Sequence, residues 1–371
     1  MTHNLRFEIV AVSKGSQARA GRLHTAHGVI ETPAFMPIGT QASVKTLSQE
    51  ELEQLGYRLI LANTYHLYLR PGAERIARLG GLHAFMSWRG AILTDSGGYQ
   101  VFSLAPLRQI DDEGVTFRSH IDGSLHRLTP ERAIEVQQLL GSDIMMALDE
   151  CPPYPAEYDT VAHAVERTYR WAIRCKQAWQ AKETTRLCPS DGGALFGIVQ
   201  GGIYEDLRKV SIDQITSLDL PGYAIGGVSV GEPVERMRAI VEFTTPRLPP
   251  DRPRYLMGVG TPEDIRHAVA CGVDLFDCVL PTRLGRHGAV FTSRGRLNLR
   301  NARFAECTEP IDPECDCTVC QRYSLAYIHH LFRAGEMLGY RLASYHNLAY
   351  YARWMQTLRK EIMAGGCIRQ G

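Results

Sequence analysis

"LTDSGGYQVFSL", residues 93–104, decides the fold. An apolar run ends in a carboxylate, two glycines and an aromatic, and apolar residues then resume. A tight turn whose Asp caps a helix reads this way, and so does a strand that delivers an acid to a site at its end. Recurrence separates the two. Short apolar runs ending in Gly or polar residues begin at Ala34 ("AFMPIG"), Leu59 ("LILANT"), Ala91 ("AILTDSGG") and Ile144 ("IMMALDEC"). Others begin at Ala194 ("ALFGIVQGG"), Tyr223 ("YAIGGVSVGE"), Tyr255 ("YLMGVG") and Leu275 ("LFDCVLPTR"). Nearly continuous apolar strands imply burial on both faces, as in a parallel sheet.

Helical spacing fills the gaps between them. "SQEELEQLG" and "TPEDIRHAVACG" each place an acid three residues after an N-cap Ser or Thr, and "AEYDTVAHAVERTYRWAIRCKQAW" is a long helix. Eight such units predict an α/β fold, a (β/α)8 TIM barrel, with an open doubly wound sheet as the alternative. The chain, 1–371, reads as a single catalytic domain. Two interruptions stand out. "IDDEGVTFRSHIDGSLHRLTPE" predicts a β-hairpin turning at Asp122–Gly123. Residues 282–346 form a basic, cysteine-bearing insertion between the eighth strand and a last helix, "YHNLAYYARWMQTLRKEIMAG".

At 44% hydrophobic and 22% charged residues, the 371-residue chain has the composition of an ordinary globular enzyme. A net charge of only +1 leaves any nucleic-acid contact to a local patch. "MTHNLRFEIVAVSKG" carries no signal pattern and no apolar stretch approaches a membrane span, so a cytoplasmic location without membrane contact is expected. Ten cysteines there argue for thiols or metal ligands. Cys175, Cys188, Cys271 and Cys367 read as packing or surface thiols.

Barrel enzymes carry their chemistry at the C-terminal ends of strands. Those ends offer Asp95, Asp149 with Cys151, Gln200, Gly226–Gly227, Met257–Gly258 and Asp277. Each Asp alone is an ordinary helix cap. Three together, each straight after an apolar strand, suit substitution at a sugar anomeric carbon: one carboxylate attacks and a second manages protons. The third, with Gln200 and exposed glycine amides, complements guanine, whose N1–H and N2–H₂ donate side by side and whose O6 accepts. Tyr99 and Met257 are placed to sandwich the ring.

"PTRLGRHGAVFTSRGRLNLRNARF" holds Arg283, Arg286, Arg294, Arg296, Arg300 and Arg303, with no acid between Cys278 and Ala305. A solvated face neutralised from elsewhere in the fold is the plain reading; phosphate contact beside the Asp277 strand is the functional one. "CDCTVC" supplies Cys315, Cys317 and Cys320, three thiolates that need a fourth ligand for tetrahedral zinc. Cys307, His329, His330 and His346 are the candidates, and spacing does not choose. A redox pair at Cys317 and Cys320 would leave Cys315 unexplained. His66 and His120 sit in polar loops and receive no role.

These motifs, from "LTDSGGYQVFSL" through "MALDECPPY", "GIVQGG", "YAIGGVSVGE", "LMGVG" and "FDCVLPTR" to "CDCTVC…YHN", resemble in order those of bacterial tRNA-guanine transglycosylase, over nearly the whole chain. The resemblance implies exchange of guanine at the anticodon wobble position for 7-aminomethyl-7-deazaguanine (preQ1) in queuosine biosynthesis. The tRNAs are those with GUN anticodons, for Asp, Asn, His and Tyr, and the route is double displacement through a covalent enzyme–RNA intermediate. It implies Asp277 as nucleophile and Asp95 as general acid/base. It places substrate contacts at Asp95, Ser96, Gly97, Gly98, Tyr99, Asp149, Gln200, Gly227, Val228 and Met257. RNA contacts fall on Gly258, Val259, Gly260, Thr261, Pro262, Glu263 and Asp264, and on Thr282, Arg283, Leu284, Gly285 and Arg286.

The same resemblance names His346 as the fourth zinc ligand beside Cys315, Cys317 and Cys320, in one structural Zn²⁺ per subunit, and implies a homodimer. Cys151 and Val230 match the preQ1-using bacterial type rather than the queuine-using eukaryotic one. The Val228 carbonyl faces the ammonium group, with Glu232 orienting that peptide. His287 departs from the family's usual Asn. A chain ending at Gly371 leaves no room for the RNA-binding domain of archaeal relatives. The rival classes fit less well. A zinc hydrolase would recruit strand-end histidines, and "AFMPIG" offers none. A glycoside hydrolase has no need of the arginine run or the thiolate cluster, and a non-catalytic RNA binder has no need of both Asp95 and Asp277.

Overall fold

A computed structural model describes residues 5–104, 108–181 and 193–368; Cys188 lies outside the described residues. The predicted strands form one parallel sheet closed on itself. Strand β1 is split at Pro37 into Ala34–Met36 and Ile38–Gly39. The others are β2 (Leu59–Ala62), β3 (Ala91–Thr94), β4 (Ile144–Met146) and β5 (Ala194–Val199). Next come β6 (Gly222–Ile225), β7 (Arg254–Leu256) and β8 (Leu275–Asp277). Neighbours pair in sequence order, and closure comes from β8 on the first half of β1, with Asp277 opposite Met36. The second half of β1 pairs with β2. This is the barrel, not the open sheet.

Why the strands read as unbroken apolar runs is visible in their pleat. Met36, Leu61, Leu93, Met146, Ile198, Tyr255 and Leu275 belong to one cluster inside the barrel. Phe35, Ile60, Ile92, Met145, Leu195 and Phe276 pack outward among the helices. Both faces are buried, so both parities must be apolar. The same alternation sends Asn63, Asp95, Gln200, Met257 and Asp277, each two residues beyond an inward neighbour, into the C-terminal mouth.

Local signals set the helix ends. Ser48 and Glu51 close a full capping box at Gln49–Gln54. At Pro262–Ala270, Thr261 caps Asp264 N–H, but the Asp264 carboxylate turns to the Thr261 hydroxyl and to Arg238. The long helix is Tyr158–Ala181.

Three features differ from expectation. The insertion after β3 is a three-stranded antiparallel sheet, Arg108–Asp111, Gly114–Arg118 and Leu125–Leu128, not a lone hairpin. Its extra strand arises because Asp111 Oδ1 accepts Glu113 and Gly114 N–H, making a second tight turn before the one at Asp122–Gly123. The last helix starts earlier, at Met337, because Gly335 in the left-handed region (φ 75°) separates it from Leu325–Ala334. His346 therefore sits inside the helix.

The third is an N-terminal antiparallel sheet, Arg6–Val12, Arg19–Thr25 and Gly28–Thr32, which plugs the opposite end of the barrel with Leu23 and Ile30. Arg19 binds Asp274 there through two bonds of 2.9 and 2.6 Å, both side chains buried. His27, in the turn of the sheet, contacts Asp143 Oδ1 at 2.8 Å and stacks on His83 at 3.6 Å. Their near-parallel planes, 13° apart, do not converge two lone pairs on one ion. The trio is a proton-linked tether.

The hydrogen bond to Asp143 raises the His27 pKa, and desolvation of Asp143 is outweighed by its donors, His27 first, so its pKa is lowered. The His27 contribution is full below its ordinary 6.5 and is lost as pH rises through the raised value. That of Asp143 is full above 3.8 and is lost as pH falls through the lowered value. His27 is part-exposed, so the effect is below about 1 kcal/mol. His27→Gln should lower Tm at about pH 6 and lose that deficit by about pH 9; a deficit independent of pH would overturn the tether.

Candidate active site

The mouth of the barrel encloses a cavity of about 540 Å³ that brings Asp95, Asp149 and Asp277 together. All three are buried, at 8%, 6% and 8% exposure. Carboxylates survive such burial only with donors in place. Asp95 receives Thr64 N–H at 2.8 Å, Gly97 N–H at 3.2 Å, Gln100 Nε2 at 2.9 Å and a short bond from Asn63 Nδ2. Asp149 receives Gln200 Nε2 at 2.7 Å and the Ser96 hydroxyl at 3.2 Å. Asp277 Oδ1 takes both the Tyr255 hydroxyl at 2.6 Å and Gly258 N–H at 2.8 Å. Its Oδ2 has no donor among the described residues.

Burial pushes Asp95 and Asp149 up to about 6, against the pull of their donors. The charge of Asp277 adds to the first shift and that of Asp95 to the second. Burial likewise raises Asp277. The mouth can therefore hold and exchange a proton near neutral pH.

The glycines of the opening stretch now have reasons. Gly97 lies at φ 81°, where a side chain is strained, and its N–H turns back onto Asp95. A Cβ at Gly98 would stand 2.9 Å from the Asp149 carbonyl, so only Gly lets these two strand ends meet. Tyr99 stands half-exposed at the rim, with Val228 and Met257 also lining the cavity. Gly227, at φ 63°, aims its N–H at the Cys151 thiol on the cavity wall. Glu232 accepts Val230 N–H at 2.9 Å and, at shorter range, Ser229 N–H. Because that peptide is trans, the Val228 carbonyl points away from Glu232.

Several residues here went unpredicted. Asn63 and Gln100 hold Asp95, Tyr255 holds Asp277, and buried Arg208 braces Gly226 and Gly227. Asn63 and Tyr255 were signalled by strand parity; Gln100 and Arg208 lie on helices and carry no such signal. His66 also lines the cavity. Burial, with His120 and Lys45 nearby, lowers its pKa, and its buried Nδ1 has no partner among the described residues.

The two segments read as RNA contacts flank the mouth unevenly. Gly258 and Glu263 are exposed, whereas Val259, Gly260, Pro262 and Asp264 are buried, Asp264 as a partner of Arg238 at 2.9 Å. Leu280–Arg286 forms a helix after β8 that exposes Arg283, half-buries Leu284 and Arg286, and buries Thr282 and Gly285. A Cβ at Gly285 would lie 2.7 Å from Ser344 Cα, so this helix sits directly on the last one. Arg283, Arg286, Arg294, Arg296, Arg300 and Arg303 make no ion pair among the described residues, and Arg286 Nη1 is buried without a partner. His287 is exposed just after them.

Cys315, Cys317, Cys320 and His346 meet as one buried cluster, with ligand atoms all within 4.8 Å of one another. Cys320 Sγ is 3.3 Å and Cys317 Sγ 3.7 Å from His346 Nδ1. His346 Nε2 donates to the Phe291 carbonyl at 2.7 Å, which leaves Nδ1 as the ligating nitrogen. Four soft or borderline donors in a closed, buried set fit a metal ion held for structure. Phe291 belongs to the hairpin Ala289–Thr292/Gly295–Asn298, which carries Arg296 and turns at Arg294. Asn347 ties that hairpin and the Leu280–Arg286 helix to the last helix.

No helix among the described residues is long and apolar enough to cross a membrane. The family model described as Queuine tRNA-ribosyltransferase matches residues 14–368. A protein of that name from Symbiobacterium thermophilum is 57% identical over 361 residues, covering 97% of this chain and 88% of its own. Those of Caldanaerobacter subterraneus subsp. tengcongensis and Bacillus subtilis are 56% identical over 358 residues and 55% over 358, each covering 96% of this chain. They are themselves covered to 93% and 92%. A match running from Lys14 to Ile368, with more than half of the residues shared, means that this chain belongs to the queuine tRNA-ribosyltransferase family, the tRNA-guanine transglycosylases of queuosine biosynthesis.

Proposed function

We propose that the enzyme exchanges guanine at the wobble position of GUN-anticodon tRNAs for preQ1 by double displacement. The observation that carries this reading is the asymmetry of Asp277: both donors sit on Oδ1, and Oδ2 is left to attack. Oδ2 attacks ribose C1′, the C1′–N9 bond breaks with its electrons to the purine, and protonated Asp95 supplies the proton. The incoming base returns a proton from N9 to Asp95, N9 attacks C1′, and the Asp277 ester is released. Two inversions give retention. The target base must leave its stack to reach the cavity.

Asp149 accepts the N1–H and N2–H₂ of the base, Gln200 Nε2 and Gly227 N–H donate to O6, and Tyr99 and Met257 cover the ring faces. The Val228 carbonyl, held by Glu232 through Ser229 N–H, accepts the preQ1 ammonium group. Ser96, Gly97 and Gly98 shape the wall. Zinc is the metal that three thiolates and one imidazole favour, and it holds the arginine hairpin in place. RNA docks on that hairpin, on Arg283 and Arg286, and on the exposed part of Gly258–Asp264. The domain reading, 1–371 with 282–346 as insertion, is supported by Asn347, just past the insertion, which bonds to Pro281 before it and to Ala289 and Phe291 within it. Exposed Tyr327 and Met337, on the last two helices, suit a homodimer contact. The cytoplasm, where tRNA is modified, is the expected location.

Labelled guanine should enter a GUN-anticodon tRNA and be chased out by preQ1. Asp277→Asn should abolish covalent trapping and cut exchange by roughly a thousandfold or more, with tRNA affinity kept within a few-fold; normal turnover would sink the nucleophile assignment. The logarithm of the tRNA affinity should fall linearly with log salt, and Arg286→Ala should flatten that slope by roughly 0.7–0.9. An unchanged slope would remove the arginine segment from the docking surface. Cys320→Ala should lose the bound zinc, measured by elemental analysis, together with thermal stability and tRNA affinity; full zinc retention would break the ligand set.

A further inference from the structure

Arg208 is completely buried in the helix Glu205–Thr216, yet no carboxylate binds it. Its partners are backbone carbonyls: Gly202 from Nε at 2.9 Å, and Gly226 and Gly227 from Nη2 at 2.9 and 3.2 Å, with Val199 at 3.5 Å from Nη1. A buried cation without a carboxylate partner is costly to keep, so its place in the structure asks for a reason. Burial lowers its pKa only to about 10, so it stays charged at neutral pH.

The Gly226 carbonyl and Gly227 N–H are two ends of one peptide. A cationic donor on the carbonyl fixes that peptide and makes its N–H a stronger donor. Gly227 N–H donates to no oxygen among the described residues; it faces the Cys151 sulfur, a weak acceptor. Glu232 pins the other side of the same loop through Ser229 and Val230 N–H. The loop is thus clamped by a cation on its carbonyls and an anion on its amides. Both clamps hold left-handed residues, Gly227 at φ 63°, which glycine adopts freely, and Ser229 at φ 60°.

We infer that Arg208 is a positioning residue that polarises the Gly226–Gly227 peptide toward O6 of the purine, where negative charge gathers as the glycosidic bond breaks. This rests on the reading that Gly227 N–H contacts O6. The electrons of the broken C1′–N9 bond pass into the purine ring and reach O6 until the proton from Asp95 arrives. A donor strengthened from behind stabilises that state more than the bound ground state, and so acts on kcat.

The test compares tRNA carrying guanine at the wobble position with tRNA carrying 6-thioguanine there, which keeps the ring and weakens the acceptor on the leaving base, in exchange for preQ1 catalysed by wild type, Arg208→Gln and Arg208→Lys over a range of tRNA concentrations. Wild type should prefer the oxo base. Arg208→Gln should lose roughly tenfold in kcat with guanine, less with 6-thioguanine, at unchanged KM for tRNA. Arg208→Lys, which keeps the charge but not the fork on two carbonyls, should recover part of both rate and preference. Equal losses with the two bases would make Arg208 a fold-supporting residue only and overturn the inference. Wild type without an oxo preference would instead overturn the Gly227 reading beneath it. If Arg208→Gln does not fold, Arg208→Lys alone decides: a narrowed preference supports the role, and an intact preference with a lower rate refutes it.

Discussion

Three carboxylates in one buried mouth repel each other and resist desolvation, and the construction of this barrel answers that constraint. Each acid is kept by donors from a different neighbour: Asn63 and Thr64 after β2 for Asp95, Gln200 after β5 for Asp149, Tyr255 and Gly258 of β7 and its loop for Asp277. No single βα unit could supply them. Neighbouring units hold the acids, and closure of the sheet brings all three into one mouth. The donors are also unequal. Four converge on Asp95, where they partly offset the burial that raises it, and two share one oxygen of Asp277, which keeps its other oxygen bare.

Much of this is legible because strand parity is a geometric rule. Leu93 to Asp95, Ile198 to Gln200 and Leu275 to Asp277 each step two residues along a pleat from core to mouth. Asn63 follows Leu61 by the same step, and its role was open to the same argument. Asp149 does not obey it, because β4 ends at Met146 and the chain leaves the strand first. Its place was legible only from its position after an apolar run.

What the sequence hid depends on contacts between distant segments. The sheet Arg6–Val12, Arg19–Thr25 and Gly28–Thr32 is short and half exposed, so its pattern is weak, and Arg19 meets Asp274 across the whole chain. The start of the last helix turned on Gly335 rather than on apolar spacing. Arg208 reads as one more helical arginine until its carbonyl partners are in view. The fourth ligand of the thiolate cluster was ambiguous for the same reason: His329 instead donates Nδ1–H to the Leu299 carbonyl at 2.8 Å, whereas His346 reaches the three sulfurs from a different helix.

The molecule thus places positive charge at two depths, and depth decides what each does. The arginines of 283–303 are mostly exposed, hold no carboxylates and lie within reach of solvent ions, so their attraction for phosphate is screened over about 10 Å at moderate salt. Arg208 is sealed beneath the cavity wall, where mobile ions do not enter and its field acts at close range on the peptides it binds, Gly226–Gly227 among them. On the proposed reading, docking and bond breaking draw on separate cations. The metal cluster belongs to the first set, since it fixes the arginine hairpin through His346 and Phe291. The loop 226–232 belongs to the second. Asp277, at the end of β8 and directly before the Leu280–Arg286 helix, lies where the two sets meet, and on the proposed reading the docked backbone and the polarised base together present ribose C1′ to its free oxygen.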